Sequence, residues 1–305
     1  MKSRGQVLRE LLAGPEILVT PGIYDGFSAR LVERMGFKAA SISGAGLSET
    51  NLGWADLGIM GYEENLHASA ALASCTTIPL QADGDTGYGN AVNVYFTVKG
   101  FERAGLAGLM IEDQVWPKRC GHLAGKEVIS AEEGVEKIRA AVEARVDPSF
   151  VIKARTDATA THGVKEAIRR LNLYADAGAD LLLADALLTA EDIALVAKNV
   201  TKPLAVNMGF GLRTRSTTPL ISARQLEDLG VATVSYPRLL TSAAIMGMKH
   251  ALGALREQVE TGVIVEREDL QVSFGELNEL MGIGELKEIE RRFLTDAQME
   301  KKYGR

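Results

Sequence analysis

The chain has 305 residues, and 34 Lys and Arg against 40 Asp and Glu leave a net charge of −6. That balance excludes the basic patch that nucleic acid or an anionic membrane surface requires, and 46% hydrophobic with 24% charged residues is the composition of a folded domain. Two cysteines, Cys75 and Cys120, are too few for a disulfide scaffold; no apolar run nears the ~20 residues that cross a bilayer, and the polar start over residues 1–10 is unlike a secretory signal, so the expected setting is cytoplasmic.

In chain order, eight short apolar runs predict strands at 17–20, 39–43, 80–83, 108–113, 151–155, 181–184, 204–207 and 233–236. Amphipathic stretches between them predict helices over 25–35, 92–104, 131–144 and 164–177, the first with Phe27, Leu31 and Met35 on one apolar face. Gly36, Gly105, Gly178 and Gly230 stand where a helix must end in a left-handed cap before the next strand. Strand–helix repeated eight times predicts a closed parallel (β/α)8 barrel of the TIM type. The alternative, a doubly wound open sheet, lacks its glycine-rich phosphate turn: the first strand runs into Pro21-Gly22-Ile23-Tyr24-Asp25. Residues 1–260 are assigned to the barrel and 261–305 to a C-terminal helical extension. Helices are predicted over 239–261 and 274–293, the second with Leu277, Leu280, Leu286 and Ile289 apolar. That tail either packs on its own barrel or is exchanged with a neighbouring subunit.

Barrel active sites form at the C-terminal strand ends, and the polar residues gather there. Asp83 and Asp85 follow strand three, Glu112 and Asp113 strand four, Arg155 and Asp157 strand five, Asp185 strand six and Asn207 strand seven. Asp83, Asp85 and Glu112 converging without His or Cys point to a hard cation, Mg²⁺ or Mn²⁺, partly bound through water. Ser43-Gly44-Ala45-Gly46 offers backbone N–H groups that can hold a carboxylate or carbonyl oxygen. In Lys118-Arg119-Cys120-Gly121-His122, two cations and a histidine flank a thiol, which suits acid/base work, and Gly121 and Gly125 suit a mobile lid. Cys75 reads as a buried, inert thiol. Arg155 can clamp a carboxylate or sit in an ion pair with Glu112 or Asp157. His67 and His162 read as ordinary surface or interface residues.

These motifs, with Ile111-Glu112-Asp113-Gln114 and Ala154-Arg155-Thr156-Asp157-Ala158, resemble the isocitrate lyase/phosphoenolpyruvate mutase superfamily over residues 21–237. The Lys-Arg-Cys-Gly-His loop is similar to that of its carbon–carbon bond lyases, in particular the 2-methylisocitrate and 2,3-dimethylmalate lyases. The resemblance implies a dimer of dimers with exchanged C-terminal helices, and Mg²⁺ near Asp56, Asp83, Asp85 and Glu112. It implies substrate contacts from Tyr24, Ser43, Gly44, Ala45, Gly121 and Asn207, and catalytic roles for Cys120, His122, Arg155 and Lys118. Departures fall on the specificity wall: Ser41 where a Tyr is usual, Asp185 where a Glu is common, and a new Arg213/Arg215 pair with no glutamate after Asn207.

The implied reaction is cleavage of a 2-hydroxy di- or tricarboxylate to a 2-oxo acid such as pyruvate and a carboxylate. Its aci-enolate is stabilised in part by His122 and protonated by Cys120. The departures suggest a substrate other than 2-methylisocitrate, such as a substituted malate. The rivals are oxaloacetate decarboxylation or hydrolysis or a carboxyphosphonoenolpyruvate phosphonomutase-like reaction on the same barrel, and a non-catalytic dicarboxylate-binding protein.

Overall fold

The computed structural model describes residues 2–121, 123–214 and 218–304. Eight strands lie within 5 residues of their predicted bounds: β1 Leu18–Ile23, β2 Ala40–Ile42, β3 Leu80–Asp83, β4 Gly108–Glu112, β5 Val151–Thr156, β6 Leu181–Ala184, β7 Leu204–Asn207 and β8 Thr233–Tyr236. They pair in parallel in sequence order, and β8 closes on β1. The (β/α)8 barrel expected from the repeat is therefore the observed fold. Gly36, Gly105, Gly178 and Gly230 take φ of +83°, +87°, +105° and +88° at the helix ends, the left-handed geometry that favours glycine.

Strand alternation decides what faces the barrel axis. On β5, Ile152 and Ala154 join the core between strands and helices, Val151 packs into the lower interior, and Lys153 and Arg155 line the upper cavity. The helix Arg4–Leu12 seals the lower end: its Leu8, Leu11 and Leu12 pack with Leu18, Val151 and Leu181, and Ser3 and Gln6 form its capping box. The interior opens at the C-terminal strand ends.

Two helical readings are corrected. The helix Gly26–Arg34 buries Ser28, Ala29 and Val32, whereas Phe27, Leu31 and Met35 are 51%, 44% and 74% exposed. The side that approaches the barrel is the small-residue one, because small side chains permit close packing. The single helix over 274–293 is two, Phe274–Leu280 and Ile283–Phe293, separated by Gly282 at φ +76°.

The chain divides into two compact units, 1–243 and 244–305. The division falls inside the helix Leu239–Thr261. Along it, Ile245, Met248, Leu252, Leu255 and Val259 recur every three to four residues and are each more than half exposed, an apolar stripe of the kind that meets another helix. Among the described residues, no helix is long and apolar enough to cross a membrane.

One buried acid fixes the upper rim from behind. Asp113, read from the sequence as part of the rim, turns toward the helix layer. Its Oδ2 accepts from Thr156 Oγ1 at 2.6 Å, Tyr174 OH at 2.9 Å and Arg170 Nη1 at 3.1 Å, and its Oδ1 from the Asp157 amide at 2.9 Å. It thereby ties the end of β4 to the end of β5 and to the helix Val164–Asp176. Removing it strands a buried guanidinium and hydroxyl. Asp113→Ala is expected to lower unfolding free energy by about 3–5 kcal/mol, read by urea denaturation; a loss under ~1 kcal/mol would show that the contacts are not coupled to stability.

Candidate active site

The strand ends enclose a cavity of about 80 Å³. Of the residues named from sequence, Ser43, Ala45, Asp56, Asp83, Lys118, Cys120, Gly121, Arg155 and Asn207 line it. Asp85 and Glu112 lie just behind, each 2% exposed. Gly44 stands against Asp83: a Cβ there would lie 2.7 Å from Asp83 Oδ2. Tyr24 is not among the lining residues; its hydroxyl donates to the Leu240 carbonyl at 3.5 Å. His122, Arg215 and the two residues after Arg215 lie outside the described residues.

The segment Ser43–Gly46, read as an open turn, begins a short helix, Gly44–Leu47. Ser43 caps it, its Oγ accepting from the Gly46 amide at 3.1 Å. The helix runs on into a π-turn, Ser48–Leu52, which carries Glu49 to Arg238; both guanidinium nitrogens of Arg238 donate to that carboxylate, at 2.5 and 2.6 Å. Burial opposes the Arg238 charge, but its hydrogen bonds and charge pairing with Glu49, and the neighbouring Cys120, hold its pKa above the ordinary arginine value.

Lys118 is 3% exposed and bridges two acids, with Nζ 2.7 Å from Asp56 Oδ2 and 2.8 Å from Asp85 Oδ1. Burial disfavours its charge, yet Asp85, Glu112, Asp83 and Asp56 outweigh burial and hold its pKa well above that of a free lysine. It is a fixed cation, unsuited to act as a base. Asp85 sits at φ +48°, a backbone conformation uncommon outside glycine. Burial, then the charges of Asp83 and Asp56, push its carboxyl up to about 7 against the pull of Lys118. Burial likewise raises Glu112 well above the carboxylate range, although Arg155 opposes the shift.

Arg155 is enclosed by acids. Its Nε and Nη2 donate to Asp157 at 2.8 and 3.0 Å, and Nη2 also to Asp185 at 2.8 Å. Glu112 Oε2 is 3.2 Å from Nε but is not aligned for a hydrogen bond, because Nε is directed to Asp157. The ion-pair reading of Arg155 therefore holds, with Asp157 and Asp185 as its hydrogen-bonded partners. Asn207 accepts from Ser235 Oγ at 2.9 Å and approaches Asp185 at 3.5 Å.

A hard cation fits this donor set. Six carboxylates (Asp56, Asp83, Asp85, Glu112, Asp157, Asp185) face four cations (Lys118, Lys126, Lys153, Arg155) across one small region. Fully ionised, the set carries two uncompensated negative charges. Glu112 Oε1 and Oε2 are buried with no hydrogen-bond partner and Asp85 Oδ1 meets only the Lys118 ammonium; buried oxygens left so are costly unless another group meets them. Among the described residues, no three Asp, Glu, His or Cys side chains are gathered tightly enough to hold a metal by themselves, which limits direct protein ligands to one or two, as Mg²⁺ tolerates.

The loop after β4 lies across the mouth. Val115 N donates to Glu127 O at 2.9 Å, and the Gln114 side chain grips the Arg119 backbone through two 3.0 Å bonds. Beyond it, Cys120 N donates to Asp56 O at 3.2 Å, and Lys126 Nζ reaches both the Gly121 carbonyl at 2.9 Å and Asp157 Oδ1 at 3.0 Å. Gly121 is pressed on Asp185: a Cβ there would lie 1.8 Å from Asp185 Oδ2. The loop expected from sequence to act as a lid thus lies against the rim. Sequence reasoning missed Lys126, Lys153, Gln81, Ser235 and Arg238. Strand parity could have found Lys153 and Gln81, each two residues before a rim residue on the same inward face; Arg238 follows β8 directly.

Comparison with known proteins agrees with this arrangement. The family described as phosphoenolpyruvate phosphomutase matches residues 8–256. The chain is 38% identical over 288 residues to 2,3-dimethylmalate lyase of Eubacterium barkeri, covering 94% of this chain and 97% of that one. It superposes with a TM-score of 0.87 on oxaloacetate acetylhydrolase in complex with 3,3-difluorooxalacetate, at 33% identity, over 95% of this chain and 96% of that one. On phosphonopyruvate hydrolase in complex with oxalate and Mg²⁺ the TM-score is 0.84 at 30% identity, over 96% and 100%. On the barrel, the rim and these matches together, the chain belongs to the isocitrate lyase/phosphoenolpyruvate mutase superfamily.

Proposed function

We propose that the protein is a divalent-metal-dependent carbon–carbon lyase that cleaves a 2-hydroxy di- or tricarboxylate, of the 2-methylisocitrate or substituted-malate type, into a 2-oxo acid and a second carboxylate. The observation that carries this reading is a thiol, Cys120, brought by a closed loop onto a small cavity ringed with paired charges. The likeness to 2,3-dimethylmalate lyase supports the substrate class. Asp83, Asp85 and Glu112 would hold the cation, in part through water, with Asp56 beside them on Lys118. When bound, Mg²⁺ or Mn²⁺ supplies Lewis-acid polarisation of the substrate's oxygens.

The chain's own residues do the rest. The amides at the start of the helix Gly44–Leu47 and the Arg155 cluster orient the hydroxy acid. Transfer of the hydroxyl proton to a carboxylate of the rim and scission of the Cα–Cβ bond leave a new carbonyl on the 2-oxo acid, and the electron pair on the departing fragment as a carboxylate-stabilised aci-enolate. Lys118, held cationic, opposes the negative charge that builds up. Cys120 gives its thiol proton to that fragment as general acid; no bond to sulfur forms. The closed loop keeps water out. The exposed stripe on the helix Leu239–Thr261 supports a homo-oligomer built by helix exchange, and the proposed setting is cytoplasmic. Hydrolysis or decarboxylation of oxaloacetate is the second reading, favoured by the likeness to oxaloacetate acetylhydrolase.

Three outcomes test the first reading. Cys120→Ala is expected to keep the circular dichroism spectrum and lower turnover of the best hydroxy acid by about 100-fold or more; near-normal turnover removes the thiol from the mechanism. Chelator should abolish cleavage and added Mg²⁺ restore it, with the 2-oxo acid followed by coupled reduction; cleavage only of oxaloacetate would select the second reading. Gly121→Ala should prevent closure and cut kcat about 10-fold or more with an unchanged melting temperature, and full activity would show that closure is not needed.

A further inference from the structure

Below the rim, the barrel interior holds a lysine that the mechanism does not use. Lys153 is 4% exposed, lies on the inward face of β5 two residues before Arg155, and lines the cavity. The other cations about this mouth are held by this chain's own acids: Lys118 by Asp56 and Asp85, Lys126 by Asp157, Arg155 by Asp157 and Asp185, Arg238 by Glu49. Among the described residues, Lys153 makes no hydrogen bond and no salt bridge. Close by in the lining stands Gln81 of β3, whose Nε2 is also buried without a partner. Ser41 and Ser235 on the facing strands are small, and their hydroxyls are committed to Thr20 and Asn207.

A charged donor, Lys153, and the Gln81 side chain therefore border a cavity too small for a large group. An isolated buried ammonium is strongly disfavoured unless an anion meets it. Consistent with that, burial lowers the Lys153 pKa to about 8 although Asp83 and Asp185 oppose the shift. A carboxylate supplies what is missing: one negative charge and two acceptor oxygens, for an ammonium and an amide. The wall between them, Met110 on β4, is apolar, which strengthens a charge pair formed there.

We propose that Lys153 and Gln81 form a receptor for one carboxylate of the substrate at the floor of the cavity, making Lys153 a specificity-determining residue that selects acids whose charged end enters the barrel. This rests on the reading of the cavity as a hydroxy- or oxo-acid site. It explains why a barrel interior that usually packs branched apolar side chains carries a lysine and a glutamine here.

The test is calorimetric binding of oxalate and of its mono-amide oxamate, in Mg²⁺ buffer, to the full chain. The rim cation would take one carboxylate of either ligand, leaving Lys153 the second carboxylate of oxalate but only the amide of oxamate, so wild type should prefer oxalate. Lys153→Met, close in volume, should weaken oxalate by about 30-fold or more while changing oxamate less than about threefold, so the preference collapses. A purely structural lysine would weaken both ligands alike, and an unchanged oxalate-to-oxamate ratio overturns the assignment. If Lys153→Met does not fold, Gln81→Met retains the ammonium and should weaken oxalate by about threefold or more; unchanged binding there also overturns it. Wild type that binds neither acid overturns the acid-site reading together with this one, whereas binding with an unaltered ratio in Lys153→Met overturns the receptor alone.

Discussion

The Arg155 guanidinium organises the mouth of the barrel. It is buried with Glu112, Asp157 and Asp185 around it, so strands β4, β5 and β6 must present their ends in one fixed arrangement for the charges to be satisfied. Asp113 secures that arrangement from the helix side by binding the Thr156 hydroxyl and the Asp157 amide. The loop after β4 then has something rigid to close upon, since Lys126 and Gly121 both meet the same Asp157–Asp185 edge. Remove the guanidinium, and the acids that position strand ends and loop would repel one another in a low-dielectric setting.

Charge excess at the rim and charge shortage at the floor are two sides of one design. Above, the acids outnumber the cations and leave both oxygens of Glu112 without hydrogen-bond donors. Below, Lys153 and Gln81 have donors without acceptors. A cation and an acid substrate bound together would satisfy both ends, each carrying the charge its own end lacks. An axial gradient of that kind orients a dicarboxylate before any bond is broken, which is where positioning contributes most to rate.

Much of this was legible in the sequence because barrels translate periodicity directly into place. Eight apolar runs with helical spacers specify strand order, and the glycines at 36, 105, 178 and 230 mark where helices must stop. The rim residues follow because a site at the strand ends collects whatever ends each run. What was not legible has a common cause: one chain position alone does not say which way its side chain turns. Glu112 and Asp113 are adjacent acids, yet alternation sends one to the cavity and the other to Arg170 and Tyr174. The helix Gly26–Arg34 carries two plausible apolar faces, and only packing distance selects the one with Ser28 and Ala29. Tyr24, read as a substrate contact, has its hydroxyl 3.5 Å from the Leu240 carbonyl, a partner the sequence does not indicate. Arg238 meets Glu49 and Lys126 meets Asp157 across distant segments, pairings no local pattern encodes.

Lys118 and Cys120 ride on the same loop, and Lys118 inserts its ammonium between Asp56 and Asp85 when the loop is down. Lifting the loop therefore withdraws one positive charge from the acids as well as moving the thiol. On the proposed reading, loop position and cation affinity would be thermodynamically linked, and linkage is reciprocal: with Lys118 withdrawn the acids would hold a divalent ion more tightly, and a bound ion alone would resist the return of the ammonium. An anionic ligand bound beside that ion would reverse the balance by returning negative charge to the site, so on this reading the electrostatics favour the order metal, acid, loop.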